Sequence, residues 1–174
     1  MDLTGFPPGA DGPLSAHANG AGEAIAHAAR VLAGYARLEH FDSAPGSLVF
    51  RAIDLADDAP VFLRIARDDA EAAGGRDTLA REFALLRGLD DPAVPRALAL
   101  QEGPGSCVLV LEDSGGQRLS RMLDARPVPV DRFFPLAIAL ATALDRLHRH
   151  GITHGSFQPR QLLYDAAACR VMTV

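Results

Sequence analysis

From Tyr35 onward, runs of alternating or continuous apolar residues are separated by polar turns, which is a strand pattern. Tyr35 to Asp42 alternates loosely, and Ser43-Ala44-Pro45-Gly46-Ser47 is a turn cluster. Leu48 to Asp54 forms a second strand, Leu55 to Ala59 a polar connection, and Pro60 to Arg67 a third, strongly apolar strand. Short turns between successive strands predict an antiparallel meander. The period then changes. Leu79, Phe83 and Leu86, joined by Leu85 and Leu89, predict a helix over Arg76 to Leu89 that stops at Asp90-Asp91-Pro92. Two strands follow, Arg96 to Gln101 and Ser106 to Glu112, about the turn Glu102-Gly103-Pro104-Gly105. A short helix spans Arg118 to Ala125. The longest spans Val130 to Arg149, with an apolar stripe of Phe133, Leu136, Ala137, Leu140, Leu144 and Leu147, and Gly151 stops it. Gln161 to Asp165 and Arg170 to Val174 predict a small hairpin. The class is α+β: an antiparallel sheet with one inserted helix, then a helical part.

The segment before this pattern differs. Residues 1 to about 20 are rich in Gly, Pro and Ala and are expected to be disordered, because they bury too little surface to offset ordering entropy. Ala21 to Gly34 is Ala-rich and weakly helical in pattern. With 174 residues, 48% hydrophobic and 22% charged, the chain suits one globular domain or part of a larger one. No apolar run approaches the roughly 18 residues of a membrane helix. Nor does Met1 to Pro13 read as a signal peptide, so a cytoplasmic location with no membrane contact is expected. The net charge of −5 and the lack of a basic stripe give no support for nucleic-acid binding. Cys107 and Cys169 lack metal-ligand spacing, and no metal site is expected. All 17 basic residues are Arg, so any mechanism that needs a lysine is closed to this chain.

Several motifs narrow the class. Leu144-Asp145-Arg146-Leu147-His148-Arg149-His150-Gly151-Ile152-Thr153-His154 resembles the lead-in to the catalytic loop of the protein kinases, L-x-x-L-H-x-x-G-I-x-H. Within H-R-D-x-x-x-x-N, His154 takes the His position. Ser156 stands for the catalytic Asp, Gln158 for the loop Lys and Gln161 for the metal-binding Asn. Val61-Phe62-Leu63-Arg64 stands at V-A-I-K, with Arg64 for the Lys and Phe62 where a small residue leaves room for adenine. Glu82, in Arg81-Glu82-Phe83-Ala84-Leu85-Leu86, is similar to the helix Glu that pairs with that Lys, and an Arg64–Glu82 pair is expected. Val49, Arg51 and Ala52 keep the tail of the glycine-loop motif, but Asp42, Ala44 and Ser47 replace its glycines. Val108 to Leu119 resembles a kinase hinge, with Leu111 as gatekeeper and the backbone of Glu112 to Ser114 facing any adenine.

The resemblance covers about Gly34 to Val174 and implies a kinase-like N-lobe, a five-stranded antiparallel sheet plus one helix, over residues 35–113. Residues 114–174 would be the hinge and the start of the helical C-lobe, ending before D-F-G. Details of the hinge, Glu82 and Arg96 to Leu100 segments resemble the N-terminal serine/threonine-kinase-like domain of bacterial multi-sensor hybrid histidine kinases. That resemblance implies partner modules of AAA-ATPase, GAF and histidine-kinase type. Phosphoryl transfer depends on positioning and charge neutralisation, and one lost charged group commonly costs about 3–4 kcal/mol of transition-state stabilisation. With the glycine loop, Lys, Asp and Asn all altered, the expectation is a pseudokinase: a regulatory or interaction module without kinase activity, using ATP and magnesium only if the site functions. An active serine/threonine kinase stays open as an alternative. So does a small-molecule phosphotransferase of the aminoglycoside- and choline-kinase type, whose H-G-D is similar to His154-Gly155-Ser156.

Overall fold

The computed structural model describes residues 32–44, 46–66, 74–103, 106–125, 128–153, 155, 157–168 and 170–173. Strands β1 (Tyr35–Ala44), β2 (Ser47–Asp54), β3 (Pro60–Ala66), β4 (Ala97–Gly103) and β5 (Ser106–Glu112) form one five-stranded sheet in the order β1-β2-β3-β5-β4. Every pairing in it is antiparallel. Helix α1 (Gly75–Leu86) joins β3 to β4. A second, three-stranded sheet follows, built from β6 (Gln117–Arg118), β7 (Leu162–Asp165) and β8 (Arg170–Thr173). Between β6 and β7 lie α2 (Leu119–Ala125), α3 (Val130–Arg149) and a 3₁₀ turn at Pro159–Gln161. The expected N-lobe architecture, a five-stranded antiparallel sheet with one helix and the start of a helical part, is therefore present.

Strand alternation divides the core between the two faces of the large sheet. Leu48, Phe50, Val61, Leu63, Ile65, Val108 and Val110 pack on one face, capped by Leu32. Phe41, Val49, Phe62, Leu109 and Leu111 pack on the other, against Leu79 and Leu86 of α1. Leu147 of α3 and Leu163 and Met172 of the small sheet join that second cluster, so one continuous core ties the two halves together.

The structure corrects four local expectations. Helix α1 ends at Leu86, three residues early, because the N–H groups of Gly88 and Leu89 bond back to Leu85 and Leu86 in tighter 3₁₀ fashion. Leu85, placed on its apolar face, is 49% exposed. Gln117–Arg118 pairs as a strand with Tyr164 and Leu163, so the short helix begins one residue later than expected. The buried stripe of α3 is Leu136, Ala139, Ala143 and Leu147, which leaves Phe133, Phe134 and Ile138 exposed. The disorder expected for residues 1–20 and most of the weak helix over 21–34 lie outside the described residues. Leu32 to Gly34 form a turn, with the Tyr35 N–H donating to the Leu32 carbonyl at 3.1 Å.

The end of α3 positions the segment that follows it. Gly151 takes φ +70°, which lets the N–H groups of Gly151 and Ile152 bond to the carbonyls of His148 and Leu147. That closure carries the chain back toward the sheets. Beside it, Asp91 accepts the Ala93 N–H at 2.8 Å and lies 3.2 Å from His150 Nε2 and 3.5 Å from Arg146 Nη1. Burial raises the Asp91 carboxyl pKa, but the Ala93 N–H, His150 and Arg146 outweigh it and hold it below the usual range. A lowered carboxyl pKa contributes stability that is complete above the unfolded value of about 3.9 and is lost as pH falls through the folded value. Asp91→Asn is therefore expected to flatten the fall in Tm between about pH 5 and pH 2. An unchanged acid limb in calorimetric scans of the variant would refute this.

Candidate functional site

The candidate site is the cleft face of β2, β3 and β5 with the segments after β5. Register sets the neighbours directly. Phe62 stands between Arg51 on β2 and Leu111 on β5, and Arg64 stands between Val49 and Leu109. The Phe62 side chain is fully buried and meets Phe41 edge to face, with ring centroids 5.0 Å apart. Such pairs contribute about 0.5–1.5 kcal/mol beyond the area they bury. Val49 and Leu111, also buried, belong to the same cluster. Phe62, Val49 and Leu111, the positions that the resemblance places around adenine, are thus packed together in one buried cluster with Phe41.

Arg64 reaches α1. Its Nη1 donates to both carboxylate oxygens of Glu82, at 2.5 and 2.6 Å, and both side chains are about one-fifth exposed, at 19% and 24%. One N–H group serves two oxygens, and the buried Arg64 Nε has no hydrogen-bond partner among the described residues. A guanidinium held in this way clamps helix to sheet as a structural pair. Glu82→Ala is expected to lower stability by about 1–3 kcal/mol, and Arg64→Lys, which puts the kinase residue type back, to yield no phosphotransfer. Urea denaturation and a radiolabelled phosphotransfer assay check the two.

Two N–H groups of the hinge are bonded within the fold. The Glu112 N–H donates to the Arg96 carbonyl at 2.9 Å, and the Asp113 N–H to the Pro60 carbonyl at 3.3 Å. Ser114 turns its hydroxyl toward β8, 3.4 Å from Met172 Sδ and 3.4 Å from Arg170 Nη2.

Sequence reading missed a second ion pair in this region, one with a buried carboxylate. Arg51 donates from Nε and Nη2 to the two oxygens of Asp113, and from Nη2 to the Gly116 carbonyl at 3.4 Å. Asp113 also accepts the Gly115 N–H at 2.9 Å, and its side chain is 1% exposed. The hydrogen bond to Asp113 raises the Arg51 pKa further against the cost of burial, so the guanidinium stays charged. Arg51 sits on the same sheet face as Phe62 and Asp113 directly follows β5, and only the sheet register brings them together. Two looser pairs run the same way. Arg121 lies 3.0 Å from Glu39, and Arg160 lies 3.9 Å from Asp42. The first hairpin is thereby strapped to the segments beyond β5 at Asp113, Arg121 and Arg160.

The loop residues are only partly visible. His154 and Ser156 lie outside the described residues. Gln158 is exposed, and its carbonyl accepts the Gln161 N–H at 2.9 Å. Gln161 Oε1 is buried without a hydrogen-bond partner among the described residues. Among the described residues that oxygen is the buried side-chain acceptor left without a partner, and it is neutral. Magnesium is bound through one or two carboxylates plus phosphate oxygens, and no group of three or more His, Cys, Asp or Glu converges among the described residues. Among the described residues the donor set is not one that suits magnesium, and Phe62 lies buried on the cleft face.

No family model matches the chain. It is 31% identical over 109 residues to the serine/threonine-protein kinase pkn2 of Myxococcus xanthus, covering 62% of this chain and 13% of that protein. It is 32% identical over 85 residues to serine/threonine-protein kinase 36 of Pongo abelii, covering 49% of this chain and 6% of that protein. The matches span only a small part of both relatives. No helix among the described residues is long and apolar enough to cross a membrane. Sheet order, the inserted helix and both matches are consistent with a protein-kinase-like relationship.

Proposed function

We propose that this chain is a kinase-like domain without phosphotransfer activity, acting as a regulatory or interaction module in bacterial signal transduction. The observation that carries the reading is Phe62, fully buried against Phe41 and Leu111 where a nucleotide base would have to enter. Three further features support it. Arg64 is clamped to Glu82, the N–H groups of Glu112 and Asp113 are bonded within the fold, and Gln161 offers only a neutral amide. A module that keeps the frame while its cleft is filled can present surfaces to neighbouring domains, and the sequence resemblance to hybrid sensor kinases supplies that context.

Thermal denaturation with and without Mg-ATP tests the reading. A ligand at about 100 times its Kd stabilises by about 2.7 kcal/mol, and no magnesium-dependent shift is expected. The competing reading, an active serine/threonine kinase, is favoured by the intact Arg64–Glu82 pair and by the names of both relatives. Phosphate transfer to the chain itself or to a protein substrate, lost in Ser156→Ala, would establish that reading and overturn ours.

A further inference from the structure

A cleft of about 340 Å³ opens just outside the filled nucleotide space, lined by Glu39, Phe41, Arg51, Gly116, Gln117, Arg118 and Arg121. Three arginines thus face one glutamate, and the three are not equivalent. Arg51 is consumed by Asp113 and the Gly116 carbonyl and forms a fixed wall. Arg121 holds Glu39 in a pair whose side chains are 72% and 57% exposed, a kind that contributes little. The Arg118 guanidinium has no carboxylate and no hydrogen-bond partner among the described residues. Its guanidinium carbon lies 3.8 Å from the centroid of the Phe41 ring. A guanidinium stacked on a ring keeps its N–H donors in its own plane, fixed in direction and free to meet an oxyanion. Burial and the neighbouring Arg121 and Arg51 charges lower the Arg118 pKa against the pull of Asp42 and Glu39, so an anion placed here would relieve local repulsion.

We propose that this outer cleft binds a small phosphomonoester, with Arg118 as its anchor and Arg121 as the second guanidinium. A phosphomonoester carries close to two negative charges and enough oxygens to meet both forks, whereas a carboxylate is satisfied by Arg118 alone. The volume lies at the lower end for small-ligand sites, which suits a compact organic phosphate. The site uses neither the base-binding space nor a metal, so it stands whether or not the chain is catalytically silent.

Glycerol 3-phosphate, without magnesium, is the probe. At ten times its Kd it is expected to raise Tm by about 4 °C. Arg118→Gln should weaken binding at least about tenfold by isothermal titration, and Arg121→Gln by less. Arg132→Gln, on α3, should leave it unchanged. Circular dichroism and the variants' own Tm values show whether they are folded, and Arg121→Gln keeps the test decisive if Arg118→Gln is not. A shift reproduced by sodium chloride at equal ionic strength, equal binding of acetate, or undiminished binding in both folded cleft variants would each overturn the proposal. Mg-ATP binding with no glycerol 3-phosphate binding would overturn it as well, and would separately refute the closed nucleotide cleft.

Discussion

Arg51→Met is expected to lower the unfolding free energy by about 3–5 kcal/mol, the range for breaking a buried ion pair by removing one partner. The asymmetry of the pair sets the size. Asp113 is 1% exposed on its side chain, whereas Arg51 is 32% exposed. Without Arg51, the carboxylate keeps only the Gly115 N–H that it already accepts and cannot reach water. Asp113→Ala leaves the opposite remnant, a guanidinium one-third in solvent, which rehydrates; its cost is expected to be smaller, about 2–3 kcal/mol. Replacing both, Arg51→Met with Asp113→Leu, removes the desolvated charges together and should recover most of the loss. Urea denaturation of the three variants tests this. A loss below about 1 kcal/mol for Arg51→Met would show that the pair does not hold the first hairpin to the segment after β5.

Phe62→Ala is expected to cost about 3–5 kcal/mol, as large-to-small changes of a buried aromatic do. For a chain of this length that corresponds to a fall in Tm of roughly 10 °C. Phe62 is fully buried, and its removal takes away the edge-to-face contact with Phe41 and the contact beneath the Arg51 guanidinium, 5.4 Å from its ring. Phe62→Leu refills part of the volume and should cost less. The enlarged cavity is not expected to bring Mg-ATP binding, because Gln161 remains a neutral ligand and Arg64 remains held by Glu82. A magnesium-dependent ATP shift in Phe62→Ala would show that this one side chain closes an otherwise competent site.

The effects are large at these two positions because each joins segments distant in the chain. Arg51 and Asp113 are 62 residues apart. Nothing local in either motif marks them as partners: Arg51 reads as the tail of a strand motif, and Asp113 as one of two acidic residues ahead of a glycine pair. Arg64 and Glu82 were legible because a known motif relates them, and the strand and helix that carry them are fixed by period alone. β6 escaped notice for the opposite reason. Two residues carry no period, and Gln117–Arg118 becomes a strand only when β7 supplies its hydrogen bonds.

The sequence by itself determined the strands other than β6, the inserted helix, the Gly151 stop and the altered residue types at Arg64, Ser156 and Gln161. These follow from side-chain period, turn chemistry and residue identity, which are local. It also placed Phe62 and Arg64 on one strand face. Only the tertiary structure decided that Phe41 would close over Phe62, that α3 would bury Ala139 and Ala143 while Phe133 stays exposed, and that Arg51 would be claimed by Asp113 while Arg118 lies over the Phe41 ring. Burial and ion pairing depend on which distant surfaces meet. Sheet order and the docking of the small sheet set those meetings, and no local pattern contains them.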